Sequence, residues 1–265
     1  MTAITISGTT VSYTKVGKGP GLVLVHGTSL DGTSNFAHIV PRFSDARTVV
    51  ALDYAGAGAS TIPEGDLTLD LLVDQVAGAI RHASDGPVDL LGDSLGAVVA
   101  AATAARHPAL VRRLVLVAGW AYSGDPRHQL MFGTWARLEG LDSELGNRFG
   151  MAMALRPEFL TALGHENIAR ALMQKTPPNT LRRIELGLRV DIRDEAKKIV
   201  APTLIIQGTD DYLVPEYQSR ALRESIDGSR YASVESGHGI FFEKADDVVA
   251  LARTFLFDSI PASNQ

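Results

Sequence analysis

Six short runs of almost unbroken apolar residues set the limits on what this 265-residue chain can become. They are Leu22–His26, Thr48–Leu52, Val88–Leu91, Leu114–Val117, Thr203–Gln207 and Tyr231–Val234. A strand with one face in water alternates polar and apolar residues, whereas a strand covered on both faces does not. Between these runs lie helical stripes. Leu69, Leu72, Val73, Val76 and Ile80 share one helix face, and Val248, Leu251, Ala252 and Phe255 share another. The Ala-rich segment Leu95–Arg106 suits close packing on a sheet, and His107-Pro108 stops it because the residue before proline avoids the α region. Covered strands alternating with amphipathic helices predict an α/β fold: a mostly parallel sheet flanked by helices and joined by right-handed crossovers. Two further strands, Ile4–Ser7 and Thr10–Lys15 around Gly8, bring the predicted sheet to eight.

One stretch breaks the alternation. From Ala121 to Lys198 the sequence offers no buried strand, only helical patterns punctuated by Gly140, Gly146, Gly150, Pro157, Gly164 and Pro177-Pro178. It is too long for a plain connection and too rich in Leu, Met, Phe and Trp for a disordered linker. The expected organisation is a core in two parts, residues 1–120 and 199–265, with residues 121–198 inserted after the sixth strand as a helical cap.

Composition narrows the chemistry. The formal net charge of −5 comes without a basic stripe, which speaks against nucleic acid as a partner, since counterion release needs clustered Lys and Arg. The chain has no cysteine, so thiol catalysis, thiolate metal sites and disulfides are all excluded and any nucleophile is oxygen or nitrogen. The polar, alternating N-terminal residues lack a leader pattern, and no run reaches a membrane-spanning length of about 18 apolar residues. The expectation is a cytoplasmic enzyme acting on a small molecule, with no membrane role and with oligomeric state left open.

The chemistry concentrates at Gly92-Asp93-Ser94-Leu95-Gly96, between an apolar run and the Ala-rich helix. G-x-S-x-G in that setting is a sharp strand-to-helix turn that lifts a serine above the sheet, with the free N–H groups of a helix N-terminus beside it. A serine hydroxyl is a weak nucleophile unaided, so it needs a base within reach and a carboxylate to fix that base's tautomer. Of seven histidines, His238 alone sits in a glycine-flanked loop, Ser236-Gly237-His238-Gly239, just after a predicted strand. His82 and His107 lie at helix ends, and His38, His128 and His165 in segments without a paired motif.

These motifs resemble the α/β-hydrolase-fold superfamily in order and spacing over nearly the whole chain. His26-Gly27-Thr28 ends the third strand where that family places its oxyanion loop. Asp53-Tyr54-Ala55-Gly56-Ala57-Gly58-Ala59-Ser60 matches the family turn after the fourth strand, and lacks the G-x-G-x-x-G spacing of a dinucleotide site. Gly208-Thr209-Asp210-Asp211-Tyr212-Leu213-Val214-Pro215 matches the segment that carries the triad acid. The resemblance implies Ser94, His238 and Asp211 as a catalytic triad, with Asp210 and Asp125 as alternative acids, and the backbone N–H groups of Thr28 and Leu95 as an oxyanion hole. It implies neither metal nor cofactor. His26 reads as a structural residue orienting its loop.

Trp120, Tyr122, Phe132, Trp135, Tyr212 and Phe241 are the expected lining of an apolar substrate pocket. Asp93 departs from the His, Tyr or Gln that many relatives carry before the nucleophile, and is expected to turn away and bond the backbone, the alternative being that it holds a second water or a polar substrate group. The serine argues against the haloalkane-dehalogenase and epoxide-hydrolase branches, which use aspartate. The functional expectation is a serine hydrolase for a small, fairly apolar acyl substrate, with an ester, thioester or carbon–carbon β-diketone bond open. The alternatives are a non-hydrolytic enzyme of the same fold (lyase, perhydrolase, cofactor-independent oxygenase or natural-product tailoring enzyme) and a ligand receptor on the same scaffold.

Overall fold

The computed structural model describes residues 1–173 and 177–257. In chain order its elements are β1 (Thr2–Ile6), β2 (Thr9–Val16), β3 (Gly21–Val25), α1 (Gly32–Phe36), β4 (Thr48–Asp53), α2 (Leu69–Ala83), β5 (Val88–Asp93), α3 (Leu95–Arg106), β6 (Val111–Val117), α4 (Pro126–Leu141), α5 (Ser143–Ala154), α6 (Pro157–Leu172), α7 (Thr180–Gly187), α8 (Arg193–Ala196), β7 (Thr203–Gly208), α9 (Glu216–Ser225), β8 (Arg230–Val234), α10 (Ile240–Glu243) and α11 (Ala245–Phe257). The strands form one eight-stranded sheet in the order β1-β2-β4-β3-β5-β6-β7-β8. It is parallel from β4 to β8, while β2 runs antiparallel to both β1 and β4. The β1–β2 hairpin turns through Ser7 and Gly8, both at positive φ (47° and 75°) as a two-residue turn with the twist of its strands requires.

The unbroken apolar runs have a simple physical origin. Along β3, Val23 and Val25 face one hydrophobic cluster while Leu22 and Leu24 face the other. β4 divides Val50 and Leu52 from Val49 and Ala51 in the same way, and β6 divides Leu114 and Leu116 from Val115 and Val117. Successive side chains leave opposite faces of a strand, so a sheet sandwiched between two helical layers needs apolar residues at every position. One layer holds α2 and α3, whose Leu72, Val73, Val76 and Ile80 are fully buried, and the other holds α1 and α11. Each such Val, Leu or Ile contributes roughly 1.5–3 kcal/mol on burial.

Between β6 and β7 the described residues form helices and their connecting loops, with one isolated bridge, Tyr122 with Asp191. Hydrogen bonds from Ser123 N to Val190 O and from Ile192 N to Ala121 O, both 2.8 Å, make that bridge the neck of the insertion. Helices α4 to α7 lie beyond the neck. α8 returns to the core, where its Glu195 pairs with Arg106 of α3 at 2.6 Å. Among the described residues no helix is long and apolar enough to cross a membrane.

Two glycines separate packing from propensity. A Cβ on Gly96 would overlap the carbonyls of Val25 and His26, both backbone atoms that cannot swing aside, whereas a Cβ on Gly133, inside α4, meets nothing within 4 Å. Gly96→Ala is expected to lower the unfolding free energy by about 3 kcal/mol through overpacking, and Gly133→Ala to raise it by about 0.5–1 kcal/mol through helix propensity. Urea denaturation of the two variants checks both signs.

Candidate active site

β5 ends at Asp93 and α3 begins at Leu95, leaving Ser94 alone to turn the chain. Its backbone sits at φ 55° and ψ −119°, a conformation that strains any residue with a side chain. The neighbours enforce it. Ser94 N donates to Val117 O at 2.8 Å, and the turn is so tight that a Cβ on Gly92 would collide with the backbone of Gly96 and Ala97. The result is a serine presented at the carboxyl ends of the central strands, where open α/β sheets place their ligands.

The structure brings Ser94, His238 and Asp211 together from three separate loops. His238 Nε2 lies 2.9 Å from Ser94 Oγ, and His238 Nδ1 lies 2.7 Å from Asp211 Oδ2. A carboxylate accepts, so Nδ1 carries the proton and Nε2 is left to accept from the serine hydroxyl. Asp211 is held rigidly: Oδ1 accepts from Leu213 N (2.9 Å) and Val214 N (2.7 Å), and Oδ2 also accepts from Gln207 Nε2 (3.0 Å). Asp210, its neighbour, turns outward to Thr209 Oγ1 and Arg156. Asp125 caps α4 and accepts from the Tyr217 hydroxyl. Neither alternative acid bonds the histidine.

The start of the loop after β3 is held by hydrogen bonds to Gly27. Gly27 N donates to Asn35 Oδ1 at 2.9 Å, and Gly27 O accepts from His26 Nδ1 at 2.8 Å and from the Tyr54 hydroxyl at 3.1 Å. His26 is fully buried, stacks on Tyr54 with ring centroids 3.8 Å apart, and leaves Nε2 without a partner. Burial, with the nearby charge of Arg183, depresses its pKa to about 3, so the ring stays neutral with its proton on Nδ1. A trans peptide is planar, so holding Gly27 O on one side aims Thr28 N–H to the other. A Cβ built on Gly27 would stand 3.4 Å from Ser94 Cβ, which puts this peptide against the nucleophile.

Asp93 does not bond the backbone as expected. Its Oδ2 accepts from the Asn35 side chain at 3.0 Å, and Asn35 in turn holds Gly27 N, so the residue before Ser94 is tied to the loop after β3 through one amide. Burial raises the Asp93 pKa to about 6 against the opposing pull of His238 and the Asn35 bond. Burial alone would lower the pKa of His238, but the Asp211 carboxylate, helped by Asp93, carries it above the ordinary histidine value.

The six expected pocket residues do not form one surface. Trp120, Phe132 and Trp135 are buried in a ring cluster with His128, where His128 and Phe132 stack at 4.1 Å and Phe132 meets Trp135 at 5.7 Å. Phe241 packs edge-on to Phe36 on the opposite face of the sheet, because it belongs to α10, which covers the α11 layer. Tyr122 and Tyr212 are exposed, the former beneath the Arg193 guanidinium. Four residues with no sequence signal complete the site: Asn35 and Gln207, already described, and Glu243 and Arg183. Glu243 accepts from Gly237 N and from Arg156 N and Nε, tying the His238 loop to the end of α5. Among the described residues no group of three His, Asp or Glu is arranged to hold a metal ion.

Residues 20–245 match the family model for the alpha/beta hydrolase fold. The chain is 34% identical to a pyrrolizixenacetamide deacetylase of Xenorhabdus hominickii, over 97% of this chain and 98% of that protein. It is 30% identical to a pimeloyl-[acyl-carrier protein] methyl ester esterase of Stenotrophomonas maltophilia, over 93% and 96%. The crystal structure of the enol-lactonase from Burkholderia xenovorans superposes with a TM-score of 0.85 at 25% identity, covering 97% of this chain and all of that one. Strand order, elbow, loop contacts and these likenesses agree: the chain belongs to the α/β-hydrolase fold family.

Proposed function

We propose that this protein is a serine hydrolase that cleaves small acyl esters or amides. The observation that carries the reading is the unbroken hydrogen-bond line from Asp211 through His238 to Ser94, ending beside a fixed oxyanion loop. Ser94 Oγ attacks the substrate carbonyl as His238 Nε2 takes its proton, and Asp211 stabilises the imidazolium that forms. Charge that builds on the carbonyl oxygen meets Thr28 N–H, whose peptide is held by His26 and Tyr54, and Leu95 N–H, which as the first helical amide has no intrahelical acceptor. His238 returns the proton to the departing alcohol or amine, then activates water to release the acid. Residues 121–198 act as the cap over this site, and the full-length likeness to a deacetylase makes the acetyl group the first acyl group to test.

Exposure of the folded protein to a fluorophosphonate is expected to add one adduct on Ser94 by intact mass, and Ser94→Ala to remove both the adduct and at least about 10⁴-fold of the kcat on 4-nitrophenyl acetate or an N-acetyl arylamine. Absence of the adduct in wild-type protein, or a Ser94→Ala variant that keeps its activity, overturns the mechanism.

The base works only when neutral, so kcat/KM is expected to fall towards acid as His238 takes up a proton, with a midpoint above the ordinary histidine value. A negative Asp93 stabilises protonated His238. Asp93→Asn keeps an oxygen for Asn35 but removes that charge, and the acid limb of the pH profile is expected to move to lower pH. An unmoved limb would mean the Asp93 charge is not felt at the base.

A further inference from the structure

Arg183 is among the largest wholly buried side chains in the protein, and no carboxylate bonds it among the described residues. From α7 its Nε donates to Thr28 O at 2.6 Å, one Nη to Gly56 O (2.9 Å) and Pro178 O (3.0 Å), and the other Nη to Thr180 Oγ1 (3.0 Å). Every acceptor is neutral. Burying a cation costs several kcal/mol, and carbonyls and a hydroxyl compensate by hydrogen bonding without cancelling the charge. Two of the anchored carbonyls belong to the loops that follow β3 and β4, and one of those loops supplies Thr28.

We infer that Arg183 is a positioning residue for the oxyanion loop: its guanidinium fixes Thr28 through its carbonyl and sets a buried positive charge, offset only at a distance by Asp31 and Glu139, behind the loop that meets the acyl oxygen as it becomes negative. The inference rests on the hydrolase reading above. Gly27 is held from below by Asn35 and Tyr54, so Arg183 supplies the restraint that the core does not. The charge reaches the loop: burial does most to lower the pKa of His26, and Arg183 adds to it. An electrostatic contribution of this kind favours the transition state over the neutral substrate, so it belongs in kcat and in the affinity for tetrahedral anions rather than in KM.

The experiment compares Arg183→Met, Arg183→Lys and, as a control, Arg182→Met. Arg182 fastens the same helix to another loop, through Pro63 O and Gly65 O, away from the nucleophile. Circular dichroism establishes folding and melting temperature, 4-nitrophenyl acetate gives kcat and KM, and a phenylboronic acid, which binds serine as a tetrahedral anion, gives an inhibition constant. Arg183→Met is expected to lose about 10- to 100-fold in kcat with KM within about threefold, and to weaken boronate inhibition in parallel. Arg183→Lys, which keeps a cation, is expected to recover part of both losses, and Arg182→Met to keep both values. A folded Arg183→Met with wild-type kcat and boronate affinity overturns the proposal, as does a loss confined to KM. If Arg183→Met does not fold, Arg183→Lys decides by the same two readouts, with unchanged values overturning the proposal. Fluorophosphonate labelling of wild-type Ser94 separates the two readings: labelling with indifferent Arg183 variants sinks this inference alone, and absent labelling sinks the hydrolase reading beneath it.

Discussion

The backbone strain at Ser94 is the constraint around which the rest is organised. A residue at φ 55° and ψ −119° costs on the order of 1–3 kcal/mol and persists only where its surroundings leave no alternative. Here β5 lies at the centre of the sheet, between β3 and β6, and α3 is buried along nearly its whole length. Gly92 and Gly96 let strand and helix close to backbone contact, so relaxing the turn would pull the most deeply packed helix off the sheet. The strain that turns Ser94 out of the strand is therefore balanced by ordinary apolar packing some distance away.

Around that fixed serine, the segment between β6 and β7 holds both loops that flank it. Arg183 holds the loop after β3, while Ala154 O accepts from Gly239 N at 2.9 Å and Arg156 meets the buried Glu243, holding the loop that carries His238. Both loops are thus held by the segment between β6 and β7. The rings of His128, Phe132 and Trp135 in that segment cluster with Trp120 at the end of the preceding core part.

What the sequence made legible follows from distance along the chain. The covered strands, the elbow and the glycine-flanked histidine are local patterns, each read within about ten residues, and their physical causes are local as well. Asn35 bonds Asp93 across 58 positions and Arg183 reaches Thr28 across 155, with no spacing that could announce either. The same limit explains the scattered pocket residues. Phe241 and Trp135 are both aromatic, but only topology puts them in different hydrophobic clusters. Asp93 was expected to seek the backbone because Asn35 is invisible from position 93.

The fastening made by Arg183 has a chemical asymmetry. On the core side Arg183 meets main-chain oxygens, Thr28 O and Gly56 O, which every amino acid supplies alike. Substitution at Thr28 leaves its acceptor in place, whereas one change at position 183 removes both bonds together. Divergence at position 28 can therefore run through any side chain and still keep the bond to α7, provided the cation at position 183 is kept.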